Sequence, residues 1–203
     1  VAIPVSSSDS TEGTVSPTGL VFTTANWNVP KMVTVTGVDD SVIDGSVSYA
    51  IVLGAATSSD VGYQGLDPTD VSLHTVDDDS AGYVVSPASG PLVDSTGSSA
   101  TFTVALSAQP SSSVSVPVSS SVPSVAGVAP SSLVFTTGNW NVPQTLTVTA
   151  AKIDDVDDSD AAFDVVLGTP TTTDPWFAAL DPRHVALTVA DDEATVERDG
   201  KKV

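Results

Sequence analysis

Residues 20–30 read LVFTTANWNVP and residues 133–143 read LVFTTGNWNVP, so ten of the eleven positions are identical. The match continues downstream, where VTVTG at 33–37 corresponds to LTVTA at 146–150 and IVLG at 51–54 corresponds to VVLG at 165–168. Matched residues are 113 positions apart early in the repeat and 114 later. Solenoid repeats are shorter, about 20–50 residues. The 203-residue chain is therefore predicted to hold two tandem domains.

The charge balance is strongly acidic, with 25 Asp and Glu against 6 Lys and Arg and a net charge of −19. The first 149 residues contain one base, Lys31. Nucleic acid is thereby excluded as a partner, because phosphate contacts need clustered Lys and Arg. Metal cations or basic surfaces are the partners that such a field attracts.

Cysteine is absent, so disulfides are excluded. The sequence has no apolar run near the length that spans a bilayer and no signal-peptide pattern, so we predict no membrane span and no leader within it. Since it begins at Val1 without Met, we expect a processed or excised piece of a larger protein.

Short runs rich in Val, Thr and Ser, broken by Gly, Pro and Asp, predict an all-β fold. In the second repeat we predict seven strands, at 82–86, 100–108, 114–119, 132–137, 144–151, 161–168 and 183–190. The strand at 100–108 should place Phe102, Val104 and Leu106 on one face and Thr101, Thr103 and Ala105 on the other. Seven strands in a domain of this size predict tandem antiparallel β-sandwiches of immunoglobulin-like architecture.

The repeat also sets domain boundaries. VAIPVSSS at 1–8 matches VSVPVSSS at 114–121, so residues 1–79 are predicted to form a sandwich lacking its first two strands, and 80–193 a complete one. Residues 194–203 form a tail or begin a further repeat. Without its first two strands, the first domain would expose an unpaired strand edge, which another strand should cover. We favour additional residues of a longer array over a strand supplied by an identical subunit.

Catalytic signatures are scarce, and we predict no enzyme. His74 and His184 lie on the last predicted strands but at unmatched positions, and no nucleophile elbow, zincin motif or P-loop occurs. Paired carboxylates could serve glycoside hydrolysis. Here they stand in loops without the apolar pocket that raises the pKa of one of them.

Acidic residues gather in loops at corresponding places of the two repeats. The groups are Asp39, Asp40 and Asp44; Asp77, Asp78 and Asp79; Asp154, Asp155, Asp157, Asp158, Asp160 and Asp164; and Asp191, Asp192 and Glu193. In a sandwich, the loop after one strand and the segment after the last strand can meet at the same end. Ca²⁺ prefers such oxygen ligands, and the spacing is not that of an EF-hand. The alternative is that these residues are solvated turns that maintain solubility.

The order of these features resembles the Calx-beta domain. A strand ends in VTGVDD at 35–40, a further acid follows at Asp44, an aromatic residue and an apolar strand begin at Tyr49, and DDD at 77–79 closes the last strand. The resemblance implies calcium at the sandwich end, held by the acidic loop and the terminal triplet. Its implied ligands are Asp39, Asp40, Asp44, Asp77, Asp78 and Asp79 in the first repeat, and Asp154, Asp155, Asp158, Asp191, Asp192 and Glu193 in the second. Asp94 takes the place of a family Glu.

Two functions are compatible with these features. The first is a calcium-stabilised structural repeat of a secreted or cell-surface bacterial protein, adhesin or filament, with neighbouring repeats or identical subunits as partners and an ion fixing the angle between repeats. The second is glycan or protein binding through displayed Trp27, Trp140, Trp176 and Phe177. For the NWNVP loops we favour a structural role, because each Trp precedes a strand in fixed register.

Overall fold

Antiparallel strands make up nearly all of the regular structure, which confirms the all-β prediction. The computed structural model describes residues 1–86, 92–93, 98–151 and 160–190, with the backbone alone at 92 and 93. The chain divides into unit 1, Val1–Asp78, and unit 2, Asp79–Val203. In the described part of the chain, no helix is long and apolar enough to cross a membrane.

Unit 1 contains six strands in two antiparallel sheets. They are β1 (Ala2–Ser7), β2 (Gly13–Ser16), β3 (Gly19–Val21), β4 (Thr34–Gly37), β5 (Ser48–Leu53) and β6 (Val71–His74). One sheet has the order β3-β1-β5-β6, and the other consists of β2 and β4. Their facing sides enclose a small core of Val5, Tyr49 and Ile51, against which Val15 and Val35 are partly buried.

The described residues of unit 2 form nine strands and one helical turn. They are β7 (Tyr83–Ser86), β8 (Leu92–Val93), β9 (Ser99–Leu106), β10 (Val114–Ser120), β11 (Ala126–Ala129), β12 (Ser132–Phe135), β13 (Gln144–Ala150), β14 (Ala161–Leu167), α1 (Pro175–Ala178) and β15 (Arg183–Ala190). The sheets have the orders β12-β10-β14-β15-β8 and β11-β13-β9-β7. All pairs are antiparallel except β15 with β8.

The strands of unit 1 match β10–β15 of unit 2 in order and in pairing. The pairs β1 with β3, β1 with β5, β5 with β6 and β2 with β4 reproduce β10 with β12, β10 with β14, β14 with β15 and β11 with β13. Cis peptide bonds also stand at matched places, Ser16–Pro17 and Ala129–Pro130. The repeat in the sequence is thus a repeat in topology.

All seven strands predicted for the second repeat are present, with ends within two residues of the prediction. The strands β8 and β11 and the turn α1 were not predicted. On β9, Phe102, Val104 and Leu106 are buried as the alternation predicts. Ala105, expected on the outer face, is buried as well, so both faces of β9 are covered near its end.

Candidate metal centre

Three carboxylates converge in unit 1, on the segments that follow β1 and β4. Glu12, Asp40 and Asp44 each offer one oxygen, and these oxygens lie within 4.8 Å of one another. Glu12 is only 9% exposed, whereas both aspartates are exposed. Two ligands on opposite sides of a calcium ion are about 4.8 Å apart, because each Ca–O bond is about 2.4 Å. The three oxygens therefore fit around a single ion.

Glu12 is positioned by a tight turn between β1 and β2. Asp9 Oδ1 accepts a hydrogen bond from the Thr11 N–H at 3.0 Å, and the Asp9 carbonyl accepts from the Gly13 N–H at 3.1 Å. The Val38 N–H donates to the Glu12 carbonyl at 3.0 Å, which extends the β2–β4 ladder by one step. The hydrogen bonds from the Thr11 hydroxyl and N–H lower the pKa of Asp9 and keep that carboxylate engaged in the turn.

The Glu12 side chain is also held from β6. The Thr75 hydroxyl, one residue beyond β6, donates a short hydrogen bond to Glu12 Oε2. A carboxylate buried to this degree is costly unless its oxygens are satisfied. The Thr75 hydroxyl uses one of the acceptor sites of the Glu12 carboxylate, and its other lone pairs can bind a cation shared with Asp40 and Asp44.

The loop after β4 supplies the other two carboxylates. Asp40 Oδ1 accepts from the Val42 N–H at 2.8 Å, which closes an Asx-turn. Gly45 adopts a φ of 76°, a left-handed conformation that favours glycine. Its N–H donates to Asp77 Oδ2 at 2.8 Å, so the loop that carries Asp44 is tied to the segment after β6.

The electrostatics of Asp44 reflect this convergence. Its pKa is raised, first by desolvation and then by the negative charges of Glu12, Asp40 and Asp77. All of these effects penalise the ionised carboxylate. A bound cation reverses the sign of the local field and favours the ionised form.

The sequence-predicted ligands separate into three groups. Asp40 and Asp44 lie in the cluster, and Asp77 contacts its loop. Asp39 and Asp78 are exposed and Asp79 is half-buried, and none of them belongs to the three-carboxylate group found among the described residues. The remaining predicted ligands lie outside the described residues: Asp94, Asp154, Asp155, Asp158, Asp191, Asp192 and Glu193.

Glu12 was not predicted, and the sequence signal for it is weak. It stands alone rather than in a run of acids, and its partners are 28 or more residues away along the chain. Its matched position in unit 2 is Val125. Comparison of the repeats therefore argues against a ligand at this place, and only the fold brings it to the loop of Asp40.

A further charged pair lies on neighbouring strands of unit 2. Asp164 Oδ2 on β14 lies 3.1 Å from His184 Nδ1 on β15, and the two residues are diagonal neighbours across the two strands, since Asp164 lies opposite Ala186. The matched positions in unit 1 are Ala50 and Asp70, so this pair is not a repeated site.

The aromatic residues considered for display differ in exposure. Trp27 is 70% exposed and Trp176 is 54% exposed, whereas Trp140 is half-buried. The prediction is wrong for Phe177, which is fully buried. Asp174 caps the turn α1 by accepting from the Phe177 N–H at 3.1 Å, and the turn directs the Phe177 ring into the core.

No protein-family model and no curated protein match the chain. Several solved structures are similar to it. The apo-form Calx CBD1 domain is 18% identical, over 55% of this chain and 96% of that one, with a TM-score of 0.40. WR4, a C. elegans MSP family member, is 16% identical over 54% and 96%, with a TM-score of 0.37. Domains 1–6 of the surface layer protein SbsC are 14% identical over 95% and 20%, with a TM-score of 0.37.

Proposed function

We propose that the chain is a non-catalytic, calcium-stabilised structural repeat module of an extracellular bacterial surface protein, adhesin or filament. The observation that carries the proposal is the convergence of Glu12, Asp40 and Asp44 from two segments that are distant in sequence. Carboxylates gathered in this way repel one another until a cation neutralises them. The order of acidic motifs that resembles the Calx-beta domain supports the same assignment.

The ion would act as a clamp between connecting segments of unit 1. Glu12 lies between β1 and β2, while Asp40 and Asp44 lie between β4 and β5. The hydrophobic cluster of unit 1 is small, with Val5, Tyr49 and Ile51 as its buried members, so additional cross-links contribute noticeably to stability. A ligand that binds only the folded state stabilises it in proportion to its concentration above Kd.

The composition of the site favours an extracellular setting. Two of its three carboxylates are exposed, and water would complete the coordination of Ca²⁺. Open sites of this kind belong to the weak class, with Kd of about 0.1–1 mM, which suits compartments rich in calcium. Neighbouring repeats of the same protein are then the natural partners of each unit.

Thermal unfolding of the full chain tests the proposal. Calcium at about ten times Kd should raise the melting temperature of the unit 1 transition by roughly 5–10 °C relative to excess chelator. Asp44→Asn should abolish most of that rise. Asp67→Asn removes the same charge at an exposed position outside the cluster and should retain it. If calcium has no effect, or if both variants respond alike, the proposal fails.

The exposed indoles favour a second candidate function, adhesive binding of glycans. Trp27 is 70% exposed and Trp176 is 54% exposed, and an exposed indole can stack on sugar rings. Titration with oligosaccharides should then change tryptophan fluorescence in a saturable way that Trp176→Ala or Trp27→Ala removes. An unchanged spectrum in the wild-type chain counts against this candidate.

A further inference from the structure

The outer edge of β4 is the largest difference between the two units. In unit 2, the matched strand β13 pairs with β11 on one side and with β9 on the other. In unit 1, β4 pairs with β2, and no second partner strand occurs among the described residues of that unit. The same strand is therefore paired on both edges in unit 2 and on one edge in unit 1.

Strand β4 is shorter than the matched strand β13. Strand β13 begins at Gln144, whereas β4 begins at Thr34, three residues later than the matched position Lys31. In unit 2, residues 144–146 pair with β9 alone, because the pairing with β11 starts at Thr147. The three residues missing from β4 are therefore those whose ladder partner is supplied by β9.

Backbone donors and acceptors point to the open edge. The Val38 N–H donates to the Glu12 carbonyl, and alternate residues of a strand face alternate edges. Val33, Val35 and Gly37 consequently direct their N–H and C=O groups away from β2. In unit 2, Ala150, which matches Gly37, donates to the Ser98 carbonyl at 3.0 Å. Unit 1 thus offers the hydrogen-bonding groups that β9 uses in unit 2.

Apolar side chains at matched positions show the same contrast. Four residues that are at most 2% exposed in unit 2 are only half-buried in unit 1. The pairs are Leu133 and Leu20, Phe135 and Phe22, Leu146 and Val33, and Val148 and Val35. In unit 2, the β9 side chains Phe102, Val104 and Leu106 are buried as well, and Phe102 lies opposite Leu146 on β13.

The NWNVP loop is also held by β9 in unit 2. The Leu106 N–H donates to the Trp140 carbonyl at 2.9 Å, and Trp140 is half-buried. Trp27, at the matched position in unit 1, is 70% exposed. The loop sequences are almost identical, so the difference in exposure follows from the surroundings and not from the loop itself.

We propose that the outer edge of β4 is a docking site for one antiparallel strand with the side-chain alternation of Ser99–Leu106, supplied by another repeat of the same type. The register of unit 2 assigns the contacts. A residue equivalent to Phe102 lies opposite Val33, and one equivalent to Ala100 lies opposite Val35. Main-chain hydrogen bonds then provide affinity, and the alternating apolar side chains provide specificity.

Hydrogen exchange of the full chain with a synthetic peptide of residues 99–108, SATFTVALSA, tests the proposal. Binding at one peptide per chain should slow amide exchange at Val33 and Val35 by about tenfold or more. The control peptide carries Ser in place of Phe102, Val104 and Leu106, and should have no effect. The variant Val35→Pro removes an outward N–H while leaving the β2 ladder in place, and should abolish binding.

Two results would overturn the proposal. One is the absence of protection at residues 31–37, or equal protection by the control peptide. The other is a concentration-dependent dimer whose β4 amides are protected before any peptide is added, which would make a second copy of unit 1 the occupant. The peptide comparison uses the unmodified chain, so it stands even if Val35→Pro fails to fold.

Discussion

The contact between Gly13 and Tyr49 yields a prediction that uses unit 2 as its template. A Cβ atom added at Gly13 would lie 2.6 Å from Tyr49 Cζ and 2.8 Å from its Cε2, closer than side chains tolerate. At the matched positions, unit 2 has Ala126 and Phe163. The extra methyl group of one unit thus replaces the hydroxyl group of the other.

Gly13→Ala should therefore destabilise unit 1, and more strongly with Tyr49 than in a Tyr49→Phe background, because the Tyr49 hydroxyl oxygen is the atom nearest to the added Cβ. Overpacking of a buried site costs about 1–3 kcal/mol. The loss of backbone freedom in the unfolded chain offsets about 0.5–1 kcal/mol of that cost. We expect a net loss of about 1–2 kcal/mol for Gly13→Ala, and a loss smaller by about 1 kcal/mol in a Tyr49→Phe background, where the ring still has to shift but the hydroxyl no longer stands in the way.

A double-mutant cycle measures this coupling. Urea unfolding, followed through resolved amide resonances of unit 1, gives the free energy of unfolding for the wild type, both single variants and the double variant. The expected coupling energy is about 1 kcal/mol. Phe163→Tyr in unit 2, at the position matched to Tyr49, should be destabilising for the same reason, because Ala126 stands at the position matched to Gly13. A coupling below about 0.5 kcal/mol would refute the idea that the methyl and hydroxyl groups exchange places.

Three further predictions concern burial, capping and pH. Phe135→Ala should cost about 3–5 kcal/mol and Phe22→Ala about 1–2 kcal/mol by urea unfolding, because only Phe135 is fully buried; equal costs would contradict this. Asp174→Ala should lower the free energy of unfolding by about 3 kcal/mol and Asp174→Asn by about half of that, because Asp174 is 2% exposed and its carboxylate accepts hydrogen bonds from Ser111 at 2.7 and 2.8 Å. A loss below about 1 kcal/mol in Asp174→Ala would contradict the capping role. Without divalent cations, the stability of the wild type relative to Asp44→Asn should be greatest below pH 3.8 and should fall as the pH rises through the raised pKa of Asp44. Melting temperatures of the two proteins measure this, and a melting-temperature advantage of the wild type that grows with pH would contradict it.

The strand pattern was largely predictable because it depends on local alternation. The chain repeats itself, so two copies of each strand signal were available, and the long strands β9 and β13 carry apolar residues at every second position. The short strand Ala126–Ala129 carries no such signal, since its AGVA sequence pairs only because β13 lies beside it. The turn α1 is too short for helical periodicity and depends on the Asp174 cap.

The candidate site was predictable only where acids stand together in sequence. Asp40 and Asp44 follow β4 in one loop, and the loop order led to both of them. Glu12 is isolated, and its position in the cluster results from the β2–β4 pairing and the Thr75 hydrogen bond. Asp39 is adjacent to Asp40 but lies outside the cluster, so adjacency in the sequence did not identify the members of the site.

A calcium titration of the isotope-labelled full chain, followed by nuclear magnetic resonance, tests the central claim most directly. Saturable shifts are expected, centred on the amides of Glu12, Val42 and Gly45, with an apparent Kd of about 1 mM or below. The matched variant Glu12→Gln keeps the Thr75 hydrogen-bond acceptor and should lose these shifts. Shifts that fail to saturate, are spread over exposed aspartates such as Asp60 and Asp67, or persist unchanged in Glu12→Gln would contradict the account.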